Sequence, residues 1–172
     1  LYAGGETGVT EPAPTRDHTE RMLTAFGYPV RRQGARACLN GGGRLRGCQL
    51  QIPADISSAA FFLAGASIAP GSDLLLEEVG INPTRVGVIN ILRGMGADIE
   101  LLDRRTLGGE PVADIRVRTA RLKGIRIPVD QVPLAIDEFP AIFIAAACAE
   151  GETILTGAGE LRVKESDRIQ VM

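Results

Sequence analysis

The chain has 172 residues, 45% hydrophobic and 23% charged; it can bury a core and is no disordered tail, and its 21 glycines and 10 prolines show no collagen triplet period. A net charge of −2 and 4% aromatic residues without tryptophan leave neither a basic field nor a stacking platform for nucleic acid. The longest apolar run, Ala141 to Ala149, is too short to span a membrane, no charged-then-apolar leader is read at the start, and three cysteines without a CxxC pair point to reduced thiols in a cytoplasmic compartment.

Leu1 to Gly5 reads as the last turn of a helix, followed by a strand at Gly8 to Thr10. Thr15 to Gly27 is predicted helical, because Met22, Leu23 and Phe26 share one face and Gly27 suits the left-handed residue that ends a helix. Two closing strands are expected next, Tyr28 to Arg32 and Leu45 to Ile52, around a hairpin turn at Asn40-Gly41-Gly42-Gly43. That glycine run is no phosphate loop, since it lacks the GxGxxG spacing and a following helix. Ser57 to Gly71 reads as an apolar helix and Asp73 to Val79 as a strand. Thr84 to Gly96 repeats the helical pattern with Val88, Ile91, Leu92 and Met95. Closing strands are expected at Ala97 to Leu102 and Ala113 to Arg118, with a turn near Gly108-Gly109. Glu138 to Gly151 is a second apolar helix, followed by a strand at Thr153 to Thr156 and a charged helix start within Arg162 to Arg168.

These segments form an internal repeat. Thr15, Arg16, Leu23 and Gly27 correspond at constant offset to Thr84, Arg85, Leu92 and Gly96. One unit reads helix, strand, helix, strand, strand, which argues for an α/β (α+β) fold with helices packed on sheet. The first copy lacks most of its opening helix and the last breaks off in its second. The expectation is a piece of a longer protein, with apolar helix such as Ala141 to Ala149 left exposed.

Chemistry concentrates near the end of the chain. Arg162-Val163-Lys164-Glu165-Ser166-Asp167-Arg168 holds three cations and two carboxylates, and a helix opening at Ser166 or Asp167 would add free amides that favour an anion. Lys and Arg beside such amides suit a phosphate or carboxylate, and Glu165 suits a proton donor if its pKa is tuned. The plainer reading is a solvated helix start with ion pairs one turn apart. Asp137 and Asp55 each precede an apolar helix, where Asp is a good N-cap. Arg16 and Arg85 occupy equivalent helix starts, one suited to a ligand and the other to structure. His18 is the only histidine, and no His/Cys spacing fits zinc. Lys123 and Lys164 are the only lysines, which singles out the second within its charged run.

The stretch Ile136-Asp137-Glu138-Phe139-Pro140, then Ala149-Glu150-Gly151, then Glu160-Leu161-Arg162-Val163-Lys164-Glu165-Ser166-Asp167-Arg168 resembles the 5-enolpyruvylshikimate-3-phosphate synthase family. Arg16-Asp17-His18-Thr19-Glu20 and Asn82-Pro83-Thr84-Arg85 resemble motifs of its class II branch, often tolerant of glyphosate. The resemblance runs from Thr7 to the end of the chain and covers well under half of a complete member. It implies two similar domains of βαβαββ units with a crossing near Pro53-Ala54-Asp55, so that residues 1–53 end one domain and 54–172 form most of the next. It implies transfer of the enolpyruvyl group of phosphoenolpyruvate to the 5-hydroxyl of shikimate-3-phosphate, with no metal or organic cofactor, in a cytoplasmic monomer of the shikimate pathway. By position, Asp137 is implied to hydrogen-bond the attacking hydroxyl, Lys164 and Arg168 to bind phosphoenolpyruvate, Glu165 to protonate its methylene carbon, and Thr15 and Arg16 to meet the phosphate of shikimate-3-phosphate. Asp55 and Arg85 keep their structural reading.

Ala54 stands where the family usually has Gly, and Phe139 where it often has Tyr. The family's N-terminal lysine motif, serine-alanine-glutamine segment and C-terminal arginine-rich segment have no counterpart here. Half a clamp should not turn over at a useful rate, so the chain alone is expected to be inactive. Two other readings stand beside this one: the related UDP-N-acetylglucosamine enolpyruvyl transferase, disfavoured by its different charged helix, and a non-catalytic anion-binding module.

Overall fold

The computed structural model describes residues 1–12 and 15–172. Strand β1 (Glu6–Thr10) leads to helix α1 (His18–Ala25) and the strands β2 (Arg31–Gln33) and β3 (Arg36–Asn40). An extended stretch then reaches α2 (Ile56–Ile68), β4 (Asp73–Gly80), α3 (Gly87–Gly94), β5 (Asp98–Leu107) and β6 (Glu110–Arg118). Two short 3₁₀ turns precede α4 (Phe139–Ala147), and a third at Gly159–Val163 precedes α5 (Arg168–Val171).

The repeat in the sequence is a repeat of topology. One sheet has the order β1-β3-β2 and the other β4-β6-β5, and every pairing among them is antiparallel. In both, the last strand of the unit runs down the middle. The segment before α2 lies parallel to β4 through an Ala54–Val79 bridge, with hydrogen bonds of 2.9 Å from Ala54 N to Glu78 O and from Gly80 N to Ala54 O. A parallel pairing requires a crossover, and α2 supplies it. The same step recurs around α4, where Lys123 and Arg126 bridge in parallel to Glu150 and Ile154. Strands β4 and β5 each carry a bulge against β6, between Leu76 and Val79 and between Leu102 and Arg105. The bulges hold the non-glycine residues Glu78 and Asp103 at φ 54° and 43°. Arg105 binds the carboxylates of Glu78 at 3.0 Å and Asp103 at 2.8 Å, which offsets part of that strain.

The helices and most strands fall where the periodicity put them, and Gly27 and Gly96 take the left-handed φ of 76° and 95° after α1 and α3. Four expectations are corrected. The second closing strand of the first unit is β3, not Leu45 to Ile52, and its turn is at Gly34-Ala35, not at Asn40 to Gly43. Leu45 and Ile52 imitate a strand's alternation but are exposed, because no layer covers them. Gly41 to Gly43 serves close approach instead. A Cβ on Gly41 would stand 1.8 Å from the Ala3 carbonyl oxygen, and the Tyr28 hydroxyl bridges Asn40 O at 2.6 Å and Gly43 N at 3.2 Å. Leu1 to Gly5 is not helical; it lies against that run, with Leu1 O accepting from Gly42 N and Gly5 O from Gly41 N, both at 2.8 Å. Thr153 to Thr156 pairs only through Ile154. Finally, the run Ala141 to Ala149 is covered on one face: α4 buries Phe139, Ala141, Ile142 and Ala145 against α2 and α3, while Ile144 stays exposed, as do Phe61 and Phe62 of α2.

The core belongs to the second unit and to the segments around α4. Leu63 of α2, Ile89, Ile91 and Leu92 of α3, Ile115 and Val117 of β6, Phe139 and Ile142 of α4, and Leu161 pack as one cluster. Each such side chain contributes about 1.5–3 kcal/mol relative to exposure. Among the described residues of the first fifty, Tyr28 alone is a buried hydrophobic, and α1 buries no side chain. Polar contacts therefore hold α1 in place.

Candidate active site

Asp137 emerges from the 3₁₀ turn Pro133–Ala135 just ahead of α4. It does not cap that helix. Glu138 takes the N-cap position without a capping hydrogen bond, and the Asp137 carboxylate faces three cations. Arg16, ahead of α1, donates to Asp137 Oδ2. Lys164 Nζ lies 3.6 Å and Arg168 Nη1 3.5 Å from Asp137 Oδ1. The sequence puts Arg168 there through its neighbour. Asp167 accepts from Ile169 N and Gln170 N at 3.0 Å each, an N-cap that opens α5 and aims Arg168 back at Asp137.

Partial burial by itself would raise the Asp137 carboxyl, but the Arg16 hydrogen bond and the charges of Arg16, Lys164 and Arg168 outweigh it and hold it below the ordinary range. Asp137 is therefore a carboxylate at neutral pH. The exposed Glu160 carboxylate, 2.8 Å from Lys164 Nζ, is the first cause that raises the Lys164 ammonium, with Asp137 adding to it. The inward-facing set is three cations to one carboxylate. Glu160 and Glu165 sit outside it in water, where their charge is screened. Arg168 Nη1 is buried and makes no hydrogen bond. An inward-facing excess of positive charge with an unspent donor suits an anion.

Arg16, Asp137, Lys164 and Arg168 thus come together. Thr15 stands next to Arg16, but its hydroxyl and amide are turned to the Glu11 carboxylate. Glu165 is at the rim. Its backbone amide and Arg168, at 2.8 Å, hold its carboxyl low, so it is ionised here and must lose that partner to act as a proton donor. Asp55 caps α2, accepting from Ser57 N at 3.2 Å and Ser58 N at 3.0 Å. Arg85 donates to Ser57 Oγ at 2.6 Å and lies 3.5 Å from the buried Glu138, whose charge it neutralises. Both are accounted for by structure.

Sequence reasoning missed a second polar cluster, where α1 meets the β5–β6 turn. Asn82 is 2% exposed, and its amide donates to Asp17 at 2.7 Å and Glu110 at 2.9 Å. His18 Nδ1 is 2.7 Å from Glu110, and Arg21 binds Asp17 at 2.9 Å. The two motif segments around Arg16 and around Asn82 are the signal that marked it. A cavity of about 300 Å³ opens beside this cluster between Met22, Ile52 and Leu107, and its lining includes none of Asp137, Lys164 or Arg168. The charge cluster and this apolar cavity are separate features of the fold. Among the described residues, no group of three or more His, Cys, Asp or Glu side chains is arranged to hold a metal ion, and no helix is long and apolar enough to cross a membrane.

Comparison with known proteins shows what the chain is similar to. The family model described as EPSP synthase (3-phosphoshikimate 1-carboxyvinyltransferase) matches residues 1–172. A protein of that name from Alkalilimnicola ehrlichii is 73% identical over 172 residues, and one from Nitrosococcus oceani is 72% identical; the chain spans 39% of the length of each. The solved EPSP synthase of Acinetobacter baumannii superposes with a TM-score of 0.94 at 67% identity, covering 98% of this chain and 38% of that one.

Proposed function

The chain belongs to the EPSP synthase family, and from that premise we propose that it carries one part of an active site that moves the enolpyruvyl group of phosphoenolpyruvate to the 5-hydroxyl of shikimate-3-phosphate. The observation that carries this reading is Asp137 facing Arg16, Lys164 and Arg168. Both substrates are anions, and each needs a cation where its negative charge sits. Arg16, with Thr15 beside it, takes the phosphate of shikimate-3-phosphate. Lys164 and Arg168 take phosphoenolpyruvate. Asp137 then exchanges its ion pairs for the attacking hydroxyl.

The chemistry balances with two carboxylates. The 5-hydroxyl oxygen bonds to C2 of phosphoenolpyruvate while its proton leaves toward Asp137, and the methylene carbon gains a proton from Glu165. In the second step the new methyl group returns a proton to the Glu165 carboxylate, the C2–O bond to phosphate breaks, and the departing phosphate takes the proton held by Asp137, which restores the alkene and both starting carboxyls. Glu165 enters this sequence only when ligand binding separates it from Arg168 and raises its pKa.

Residues 1–53 close one domain of the longer protein in this reading, and 54–172 form most of the adjoining one. The longer protein works as a monomer in the cytoplasm, consistent with the free thiols of Cys38, Cys48 and Cys148. The segments around His18 and Asn82 support its tolerance of glyphosate. The chain alone holds part of the clamp and does not turn over. A phosphate-release assay with both substrates tests this: no turnover above background is expected from the 172-residue chain, and sustained release contradicts it.

A further inference from the structure

α1 buries no side chain, yet it delivers Arg16 to a carboxylate 121 residues away. Something other than apolar packing must fix its position. Asn82 is the buried group at the junction. Its Oδ1 accepts from Thr84 N at 2.9 Å and Thr84 Oγ1 at 2.7 Å, so the turn after β4 sets the side chain in one orientation. With Oδ1 facing Thr84, Nδ2 points toward α1 and β6.

A side-chain amide has two N–H groups. Both are used, one on Asp17 at 2.7 Å from the α1 side and one on Glu110 at 2.9 Å from the β6 side. His18 Nδ1, 3.4 Å from Asn82 Nδ2, then gives its own hydrogen to Glu110 at 2.7 Å. Arg21 completes the clamp through Asp17 at 2.9 Å and the Gly109 carbonyl at 3.2 Å. Asp17 stands at the N-cap position of α1 but makes no capping hydrogen bond. Its carboxylate is spent across the junction. Two carboxylates from opposite sides meet at one buried amide, with Arg21 Nε 2.9 Å from Asp17 and 4.0 Å from Glu110, so loss of the amide's donors leaves Arg21 alone to offset their repulsion.

We propose that Asn82 is a positioning residue: its amide, shared between Asp17 and Glu110, locks the first turn of α1 to the β5–β6 hairpin and thereby sets Arg16 at Asp137. The role rests on the functional reading only where it concerns substrate. The placement of Arg16 is a property of the folded chain. Asn82 touches no reacting atom and acts through Arg16 alone.

Asn82→Asp is the sharp variant, because it keeps the acceptor for Thr84 and deletes both donors. In the 172-residue chain, the Asp137 carboxyl carbon is followed by NMR against pH, together with solvent exchange of the Arg16 Nε–H. In N82D the Asp137 titration moves up toward the ordinary 3.8 and Arg16 exchange quickens at least about tenfold, while the amide spectrum of α2, α3 and α4 is retained. The double variant N82D/E110Q exchanges donor and acceptor across the junction and returns both readouts toward wild type. If N82D does not fold, E110Q alone shifts both in the same direction by a smaller amount. Unchanged Asp137 titration and Arg16 exchange in folded N82D, or in E110Q where that variant stands in for it, overturn the proposal. So does a double variant no closer to wild type than N82D. Failure of the wild-type chain to bind shikimate-3-phosphate counts against the functional reading instead, since these readouts need no ligand.

Discussion

The Arg16 guanidinium hydrogen-bonds the Asp137 carboxylate across 121 residues of sequence. The pair joins the segment before α1 to the segment before α4, and Lys164 and Arg168 close on the same carboxylate. In the proposed function, this internal carboxylate surrounded by cations stands in for the substrate anion. Removing that stand-in and adding a true anion have opposite, measurable consequences.

Asp137→Asn leaves Arg16, Lys164 and Arg168 without their shared inward counter-ion. Inorganic phosphate then competes only with the exposed Glu160 and Glu165 carboxylates, and its affinity for the chain, measured by calorimetry, rises about tenfold, or ~1.4 kcal/mol. Weaker phosphate binding in D137N contradicts an anion site at this cluster.

Stability falls in acid by a route that can be assigned. Burial raises the Asp137, Asp17 and Asp55 carboxyls, but hydrogen bonds and neighbouring cations or amides outweigh it, so all three lie below 3.8 when folded. A carboxyl that is lower in the folded state stabilises the fold above its unfolded pKa, and that contribution vanishes as pH falls through the folded value. The melting temperature should hold steady from neutral pH to about 5 and fall below about 4. The double variant D17N/D137N should melt lower at neutral pH and lose less in acid. An equally steep acid loss in the double variant assigns the effect elsewhere.

Asp55→Ala removes the cap of α2, where the side chain meets Ser57 N and Ser58 N. Loss of an N-cap costs about 1 kcal/mol, read as a lower urea midpoint at constant slope. D55N, which keeps an acceptor, recovers most of it.

Ile142→Ala empties a fully buried position on the face of α4 that packs into the core. A cost of about 2–5 kcal/mol is expected from chemical denaturation, whereas the exposed Ile144→Ala should change little. Similar costs at both positions contradict the burial of α4.

The helices were legible because apolar residues recur at helical spacing, and the repeat was legible because Arg16 and Arg85 sit at one point of its period. β3 was not, since Arg36–Asn40 is half-exposed on both faces and carries no alternation, while Leu45 to Ile52 carries alternation with nothing to pack on. Asp137, Lys164, Arg168 and Arg16 were named from motif resemblance, and their spacing alone left N-cap and ion-pair readings open. The segment holding Asn82 was marked by motif resemblance, but the contacts of its side chain were not legible. An asparagine before a proline reads as a turn, and only the fold shows two carboxylates from other elements closing on its amide.

The most direct test of the account is a titration of the 172-residue chain with shikimate-3-phosphate, followed residue by residue by NMR. Saturable shifts centred on Thr15, Arg16 and Asp137, with α3 and β6 unaffected, are the predicted result. No shifts at millimolar ligand, or shifts confined to the apolar cavity beside Met22 and Leu107, would contradict it.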